Sequence, residues 1–535
     1  MLIYFVVAPI LMAVFMYLYT NDKIAKIVAI LVQGTLFVGS FNMFLTARYY
    51  TIETVVGGYE SVAGITLRAS VFNSALIIIA TLVFLMITIY NFPEPKSKMF
   101  WLLMFIWEGA LIGIFLTGDF FNRFVLMEVA TIVSTILIMY NREERSMYDG
   151  LYYLVINVVS VQFFLFGVGY IYRITGTLDM YRATAIMQEL PQDQLLLPYA
   201  LIMVFAAMKC ALFPISNWMS KTLATPGSPP TVNAVMASVH MVSGLYLFMS
   251  MHNVFSHMQL NYFFIIMGAI TSLVAIVFGL AQRNIMKLLS YVAVVQFGLV
   301  IIALNIGGYY NQLGAMYHVV NYALFSAILF LGIGLVIARY NTTNINNIRG
   351  VLKVMPITAF SLIFAILGII GTPLFSGSVS TYFMLRYADI WIAVIVAIIS
   401  LGNFALFARF STILLGTPTS NHSDRNVANL KFKAIPLLPL AIICLVGGIF
   451  GDQVIGFLLN TEASVSPAGI VQKLIMFAIS AVLGFGLHKA TFRTTVEGSK
   501  PGPLCKIRGY DMGFRGIVLS VGIFFGIILT ILFIG

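Results

Sequence analysis

Apolar residues run through this chain in long, nearly uninterrupted stretches, without the alternation of a half-buried strand or the single apolar stripe of a soluble helix. Sixteen stretches can be marked, at 2–19, 24–46, 69–91, 99–118, 120–140, 150–172, 196–220, 231–251, 261–281, 285–305, 312–338, 356–384, 389–415, 435–459, 468–488 and 514–534. Each is about the length a helix needs to cross ~30 Å of hydrocarbon at ~1.5 Å per residue. The pattern predicts an all-α polytopic membrane protein of about 16 transmembrane helices. The start of the chain has no basic stretch and no small-residue cleavage site, so it reads as the first membrane helix and not as a removed signal.

Two segments are interrupted. Segment seven carries Lys209 shortly before Pro214, and segment twelve carries Gly371-Thr-Pro373-Leu-Phe-Ser-Gly377 in its middle. Proline removes a backbone donor and kinks a helix. In lipid the freed carbonyls need other partners, so helices 7 and 12 are expected to be broken and to line a cavity or a neighbouring helix. The breaks are five segments apart, so segments 4–8 and 9–13 read as two five-helix repeats. An odd number of segments inverts the second relative to the first. The expected division is 1–98 for the first three helices, 99–251 and 261–415 for the repeats, and 435–535 for the last three helices. Paired interruptions of this kind point to a transport pathway.

Composition changes the picture in two ways. Of 535 residues, 60% are hydrophobic and 9% charged, which excludes a soluble protein. The longest connections, 173–195, 409–434 and 489–513, are polar connectors too short for a catalytic domain. Cys210, Cys444 and Cys505 are scattered, and phosphate-binding or dinucleotide-binding glycine loops are absent. No cofactor and no metal site is therefore expected, and any catalysis would belong to partner subunits. His252 and His257 read as a solvated outer loop. The formal net charge of +11 is unevenly spread. Twenty-two Lys and Arg lie in connections after odd-numbered segments, against five in the others. The positive-inside rule then puts both termini on the outer side of a cell membrane.

Charges inside the segments are costly and functional by default. Glu128 falls about eight residues into segment five, roughly 12 Å from its end. Lys209 is near mid-depth in segment seven. Such a pair, with adjustable spacing, can act as a proton switch: apart, the lysine can release its proton; together, it holds it. The bland reading is a static ion pair that locks two helices. Glu108 in segment four is a third buried acid, feeding protons to the pair or hydrogen-bonded to a neighbour. His240 and His318 are membrane-embedded imidazoles suited to a relay or to a carbonyl contact. Asp119 and Arg123 have the i, i+4 spacing of a local salt bridge.

These residues carry a resemblance. The chain resembles the antiporter-like subunits shared by respiratory complex I, Mrp-type Na+/H+ antiporters (D-type) and membrane-bound hydrogenases. It rests on Leu116-Thr-Gly-Asp-Phe-Phe-Asn122 with Val125-Leu-Met-Glu128, Gly176-Thr-Leu-Asp179, Lys209-Cys-Ala-Leu-Phe-Pro214 with Trp218, and Pro226-Gly-Ser-Pro-Pro230. Lys287-Leu-Leu-Ser-Tyr291, Ala315-Met-Tyr-His318 and the segment-twelve break add to it. The resemblance implies a fourteen-helix core with inverted repeats, a proton pathway through Glu128, Lys209, Glu108, His240 and His318, and membrane partners that include antiporter-like paralogues, with a soluble redox arm in some relatives. It implies no role in binding nucleic acid. Departures from the family pattern lie in the second half. Tyr322 and Ser326 occupy the places of a histidine and the central lysine, and Thr381 that of a lysine or glutamate after the break; Ser70 and Val242 are further substitutions. The second half is thus expected to be sealed, to conduct only through water around His318, or to serve a cation other than H+. The alternative for the whole subunit is a degenerate paralogue that seals or spaces a complex without moving ions.

Overall fold

The computed structural model describes residues 2–58, 64–258, 260–418, 427–462, 464–492 and 513–534. Thirteen described helices are long and apolar enough to cross a membrane. The other three predicted segments are also helical but shorter or broken. Segment one is Ile3–Leu18. Segment seven is Leu196–Lys209 followed by Asn217–Leu223. Segment twelve is Pro356–Ile369 followed by Ser376–Met384. The chain is an all-α polytopic membrane protein with broken helices where proline and glycine predicted them. One short antiparallel hairpin, Ile52–Val55 with Thr66–Ala69, escaped the sequence reading; Glu53 pairs with Arg68 across it at 2.6 Å. Most of the 489–513 connection, with Cys505, lies outside the described residues.

Burial sorts the helices. Segments three (Val71–Tyr90), four (Lys98–Leu116), eight (Pro230–Val254), ten (Ile285–Ile306) and eleven (Tyr309–Tyr340) are enclosed on nearly all sides. Segments two, five, six, nine, thirteen, fifteen and sixteen present exposed apolar faces, such as Leu31, Val125, Ile132, Phe166, Ile266, Ile398, Val482 and Leu519. A helix that is apolar all round belongs in a bundle interior or in lipid, so these faces suit acyl chains or other membrane subunits.

The two breaks share a backbone pattern that residue identity hides. At the first, the amides of Cys210, Ala211 and Leu212 bond to the carbonyls of Ala206, Met208 and Ala207. At the second, those of Ile370, Gly371 and Thr372 bond to Ile366, Gly368 and Leu367, each 160 residues on (206 to 366, 210 to 370). Both chains then pass through a left-handed residue, Ala211 with φ 49° and Gly371 with φ 75°. A second duplicate lies at the helix starts. Asp119 caps segment five (Phe120–Ile138) and forms an isolated antiparallel bridge with Asp179. At a spacing of 165 residues (119 to 284, 179 to 344), Asn284 caps segment ten and bridges Asn344. Phe120 N to Leu178 O (2.9 Å) and Met180 N to Gly118 O (2.8 Å) match Ile285 N to Thr343 O and Ile345 N to Arg283 O, both 2.9 Å. Segments six (Glu144–Thr175) and eleven are each 32 residues long and end at a left-handed cap, Gly176 and Asn341.

Two local expectations are corrected. Arg123 does not close a salt bridge with Asp119. Its guanidinium donates to Thr117 O at 2.9 Å and Ser250 Oγ at 2.7 Å, because Asp119 is engaged at the helix cap, accepting from Asn122 N at 2.7 Å. His252 is not in a solvated loop. It lies in the last turn of segment eight, buried beside Phe248, because the helix continues to Val254.

The second break depends on close approach. A Cβ on Gly377 would overlap the carbonyl oxygen of Gly368, whereas one on Gly486 would meet nothing within 4 Å. Gly377→Ala is expected to destabilise the protein by about 1–3 kcal/mol, and Gly486→Ala by well under about 1 kcal/mol. Thermal unfolding of the two variants in detergent, read side by side, checks this.

Candidate functional site

Lys209 ends the first half of segment seven, so its ammonium stands at a helix C-terminus, where a cation is favoured. The residue is 7% exposed. Its Nζ donates to Asn157 Oδ1 at 2.7 Å and Thr131 Oγ1 at 3.2 Å, and it lies 5.4 Å from the Phe205 ring centroid. Both acceptors are aimed by their own bonds. Asn157 Nδ2 donates to Tyr153 O at 2.8 Å, which turns Oδ1 toward the lysine. Thr131 donates to Met127 O at 2.8 Å, which leaves oxygen lone pairs free for it. The break that creates this position is closed by neighbours: Trp218 Nε1 donates to Met208 O at 3.3 Å, and Phe213 N donates to Thr271 Oγ1 of segment nine at 2.9 Å, just before the cis Phe213–Pro214 bond.

Glu128 lies one helical turn before Thr131. Among the described residues it forms no ion pair with Lys209, although the two charges interact at longer range. It is half-buried, at the margin of the exposed face formed by Val125, Ile132 and Ile136. The expected direct pair is thus open here, with the lysine held by neutral oxygens instead. Glu108 is fully buried but belongs elsewhere. Gln33 Nε2 of segment two (Asp22–Ala47) donates to its Oε2, and Glu108 Oε1 has no hydrogen bond among the described residues. Its neighbour Trp107 faces another direction, about 100° round the helix.

Trp107 leads to His240. Trp107 Nε1 donates to His240 Nδ1 at 3.2 Å, and His240 Nε2 lies 2.9 Å from Tyr153 Oη. An indole N–H only donates, so Nδ1 must accept; the ring proton then lies on Nε2 and points to Tyr153. His240 closes a π-helical turn, Met236–His240, of the kind found at functional sites. Tyr153 and Asn157 are one turn apart on segment six, so the His240 and Lys209 networks join there.

The second half repeats the arrangement with other side chains. His318 Nε2 faces Gln296 Oε1 at 3.1 Å, and Nδ1 faces Ser380 Oγ at 2.9 Å. Ser380 can donate to Gly377 O at 3.0 Å, which leaves its oxygen to accept. Both ring nitrogens can therefore donate at once, which those of His240 cannot. At the 165-residue spacing of the caps, Thr131 corresponds to Gln296 and Tyr153 to His318. The substituted positions are occupied locally: Ser326 Oγ donates to Tyr322 O at 2.7 Å, and Thr381 Oγ1 to Gly377 O at 2.7 Å. Tyr322 packs edge-on against Phe297. Near Pro373 the carbonyl of Ile369 accepts from Asn403 Nδ2 of segment thirteen at 3.3 Å. A cavity of about 180 Å³ lies here, with Gln296, His318 and Thr381 in its wall.

Of the residues predicted for the pathway, Lys209, His240 and, at longer range, Glu128 come together; His318 heads a second site, and Glu108 stands apart. Sequence reasoning missed Thr131, Asn157, Tyr153, Trp107, Gln296 and Ser380. The available signal was polar side chains at i, i+4 spacing inside an apolar run, as Tyr153 and Asn157 show.

The same architecture occurs in known membrane proteins. The model of the NADH:quinone oxidoreductase/Mrp antiporter transmembrane family matches residues 117–407. The D-type subunit of the Na+/H+ antiporter of Alkalihalophilus pseudofirmus is 27% identical over 442 residues, covering 78% of this chain and 89% of that protein. The N-type subunit of the NADH-quinone oxidoreductase of Desulforudis audaxviator is 28% identical over 440 residues, covering 76% and 85%. A chain of the Mrp complex from a Dietzia species superposes with a TM-score of 0.78 at 20% identity, covering 90% of this chain and 99% of that one. A chain of an archaeal membrane-bound sulfane sulfur reductase gives 0.77 at 22% identity, with the same coverage. With more than half its length matched, and with both broken helices in the expected places, the chain belongs to the family of antiporter-like membrane subunits found in Mrp antiporters and NADH:quinone oxidoreductases.

Proposed function

We propose that this subunit moves protons across a cell membrane within a multi-subunit complex, through Lys209 and Glu128 in its first half and water around His318 in its second. One observation carries the reading: a lysine buried at a helix break, cradled by two neutral oxygens, with a carboxylate near enough to interact but not bonded to it. An ammonium bonded to Glu128 keeps its proton, and one left with neutral acceptors can release it. Lys209 would move between these partners as the break shifts. Tyr153, Ser134, whose Oγ lies 3.4 Å from Tyr153 Oη, and Thr131 supply hydroxyls along the way, while His240 positions Tyr153. Glu108 serves segment packing or an accessory entry.

Units 99–251 and 261–415 would be the inverted repeats, with both termini outside; the duplicated backbone bonds and the charge bias support this. The relatives are named as subunits of larger assemblies, so other membrane subunits, antiporter-like paralogues among them, are the partners expected on the exposed apolar faces. The half-exposed Glu128 then stands where a neighbour can reach it.

In vesicles carrying the assembled complex, Lys209→Gln and Glu128→Gln are each expected to lower proton uptake by about tenfold or more while assembly is retained. Uptake at the wild-type rate would favour a subunit that only seals or spaces the complex. The histidines should differ. His318→Gln is expected to cost about tenfold or more, because it removes a group that can hold a second proton. His240→Gln is expected to cost roughly threefold or less, because an amide can still engage Tyr153. Equal losses at both positions would contradict this division of roles.

A further inference from the structure

The cavity beside His318 has a wall that lies outside residues 117–407, the stretch the family model matches. Segment fifteen (Pro467–Phe492) packs along segment thirteen (Ile390–Ser411) and brings Lys473, Met476, Phe477 and Ser480 to the cavity. The opposite walls are Gln296 and His318 on one side and Thr381, Tyr382 and Arg386 on the other. Its volume of about 180 Å³ has room for several waters at roughly 30 Å³ each. Lys473 lies six residues into its helix, about 9 Å from that end. Its ammonium is 5.0 Å from the centre of the Tyr382 ring. It therefore stands between His318 and the membrane surface where the connections 385–389 and 460–466 run.

The charges along this cavity decide what can use it. Among the described residues, Lys473 and Arg386 are the charged groups in its wall, and no carboxylate lines it. A metal cation entering here would meet two positive charges and no anionic oxygen, whereas hard cations are held by oxygen ligands, carboxylates first. A proton needs only a chain of hydrogen-bonding groups. Arg386 lies over the Tyr310 ring at 4.2 Å, and a guanidinium is not a proton carrier. Lysine can give up and regain a proton. Other groups around Lys473 are few. Asp452 of the neighbouring helix Gly451–Leu459 acts on it at longer range while accepting from Val465 N at 3.0 Å. Tyr382 and His318 share the cavity, and Arg409 and His488 lie toward the far ends of segments thirteen and fifteen.

We propose that Lys473 is the proton carrier at the mouth of the second-half cavity, linking His318 to the adjacent membrane surface, and that with Arg386 it keeps Na+ out. In this step the ammonium passes one proton through water to His318 Nδ1 or Nε2, and the neutral amine takes one from the surface; the reverse direction uses the same atoms. Nothing is oxidised or reduced. A helix outside residues 117–407 would thus supply the second half with a lysine of its own. The inference rests on the reading that the subunit moves protons.

The test uses vesicles carrying the assembled complex, with H+ and 22Na+ uptake measured separately. Lys473→Gln and Lys473→Arg are both expected to cut proton uptake at least about tenfold, since neither side chain releases a proton usefully. Lys473→His is expected to keep uptake but move its optimum to lower pH by more than about one unit, because imidazole titrates well below an amine. Proton uptake at the wild-type rate with glutamine or arginine overturns the proposal. So does an unchanged pH optimum with histidine, which decides the matter if the other two variants fail to assemble. Lys209→Gln, run in parallel, separates the two readings. If it abolishes uptake while Lys473→Gln does not, only the Lys473 proposal fails. If Lys209→Gln leaves uptake unchanged, the proton-moving reading fails and takes this proposal with it.

Discussion

An ammonium in the middle of an apolar bundle is the constraint from which the rest of the first half follows. Unpaired, such a charge is expensive at membrane depth. Here its cost is offset by a helix C-terminus, by Asn157 and Thr131, and by the Phe205 face. Each of these needs something further. The helix C-terminus requires the break, and the break requires Trp218 and Thr271 to satisfy the backbone it frees. Asn157 needs Tyr153 O to aim its amide. A direct contact with Glu128 would satisfy the charge more simply, but it would also hold the proton in place. The open arrangement is the one that the proposed proton release requires.

The second half solves the same problem with a group that can be neutral. His318 takes the place corresponding to Tyr153, Gln296 that of Thr131 and, at the 160-residue spacing of the breaks, Ile369 that of Lys209, so the backbone plan is kept while the charge is removed. Burying a neutral imidazole between two hydrogen-bonding side chains costs far less than burying an ammonium. This accounts for Ser326 and Thr381, whose hydroxyls bond to their own helix and ask nothing of neighbours. It also accounts for part of the cavity, since the small side chain of Thr381 leaves space beside His318.

How much of this was legible in the chain depends on the kind of signal. Helices were legible because hydrocarbon demands long apolar runs, and the breaks because Pro214, Pro373 and the glycines at 371 and 377 have few other uses inside such runs. The relation between the halves was poorly legible, because it survives in backbone bonds at Asp119, Asp179, Asn284 and Asn344 and not in side-chain identity. The partners of Lys209 were invisible for another reason: a threonine or asparagine in a membrane helix usually bonds its own backbone, and nothing in sequence marks one that also faces a charge. Arg123 and His252 misled because spacing and loop position do not reveal which neighbour arrives first. Lys473 lies near the start of the predicted segment 468–488, and only the packing of segment fifteen gives it a cavity.

Whether Glu128 and Lys209 work as one unit is the central claim, and a double-mutant cycle on proton uptake by the assembled complex tests it most directly. Residues that act as a unit are strongly non-additive. The account predicts that Glu128→Gln combined with Lys209→Gln is no slower than Lys209→Gln alone. A double variant slowed by the product of the two single losses would show two independent groups and contradict it.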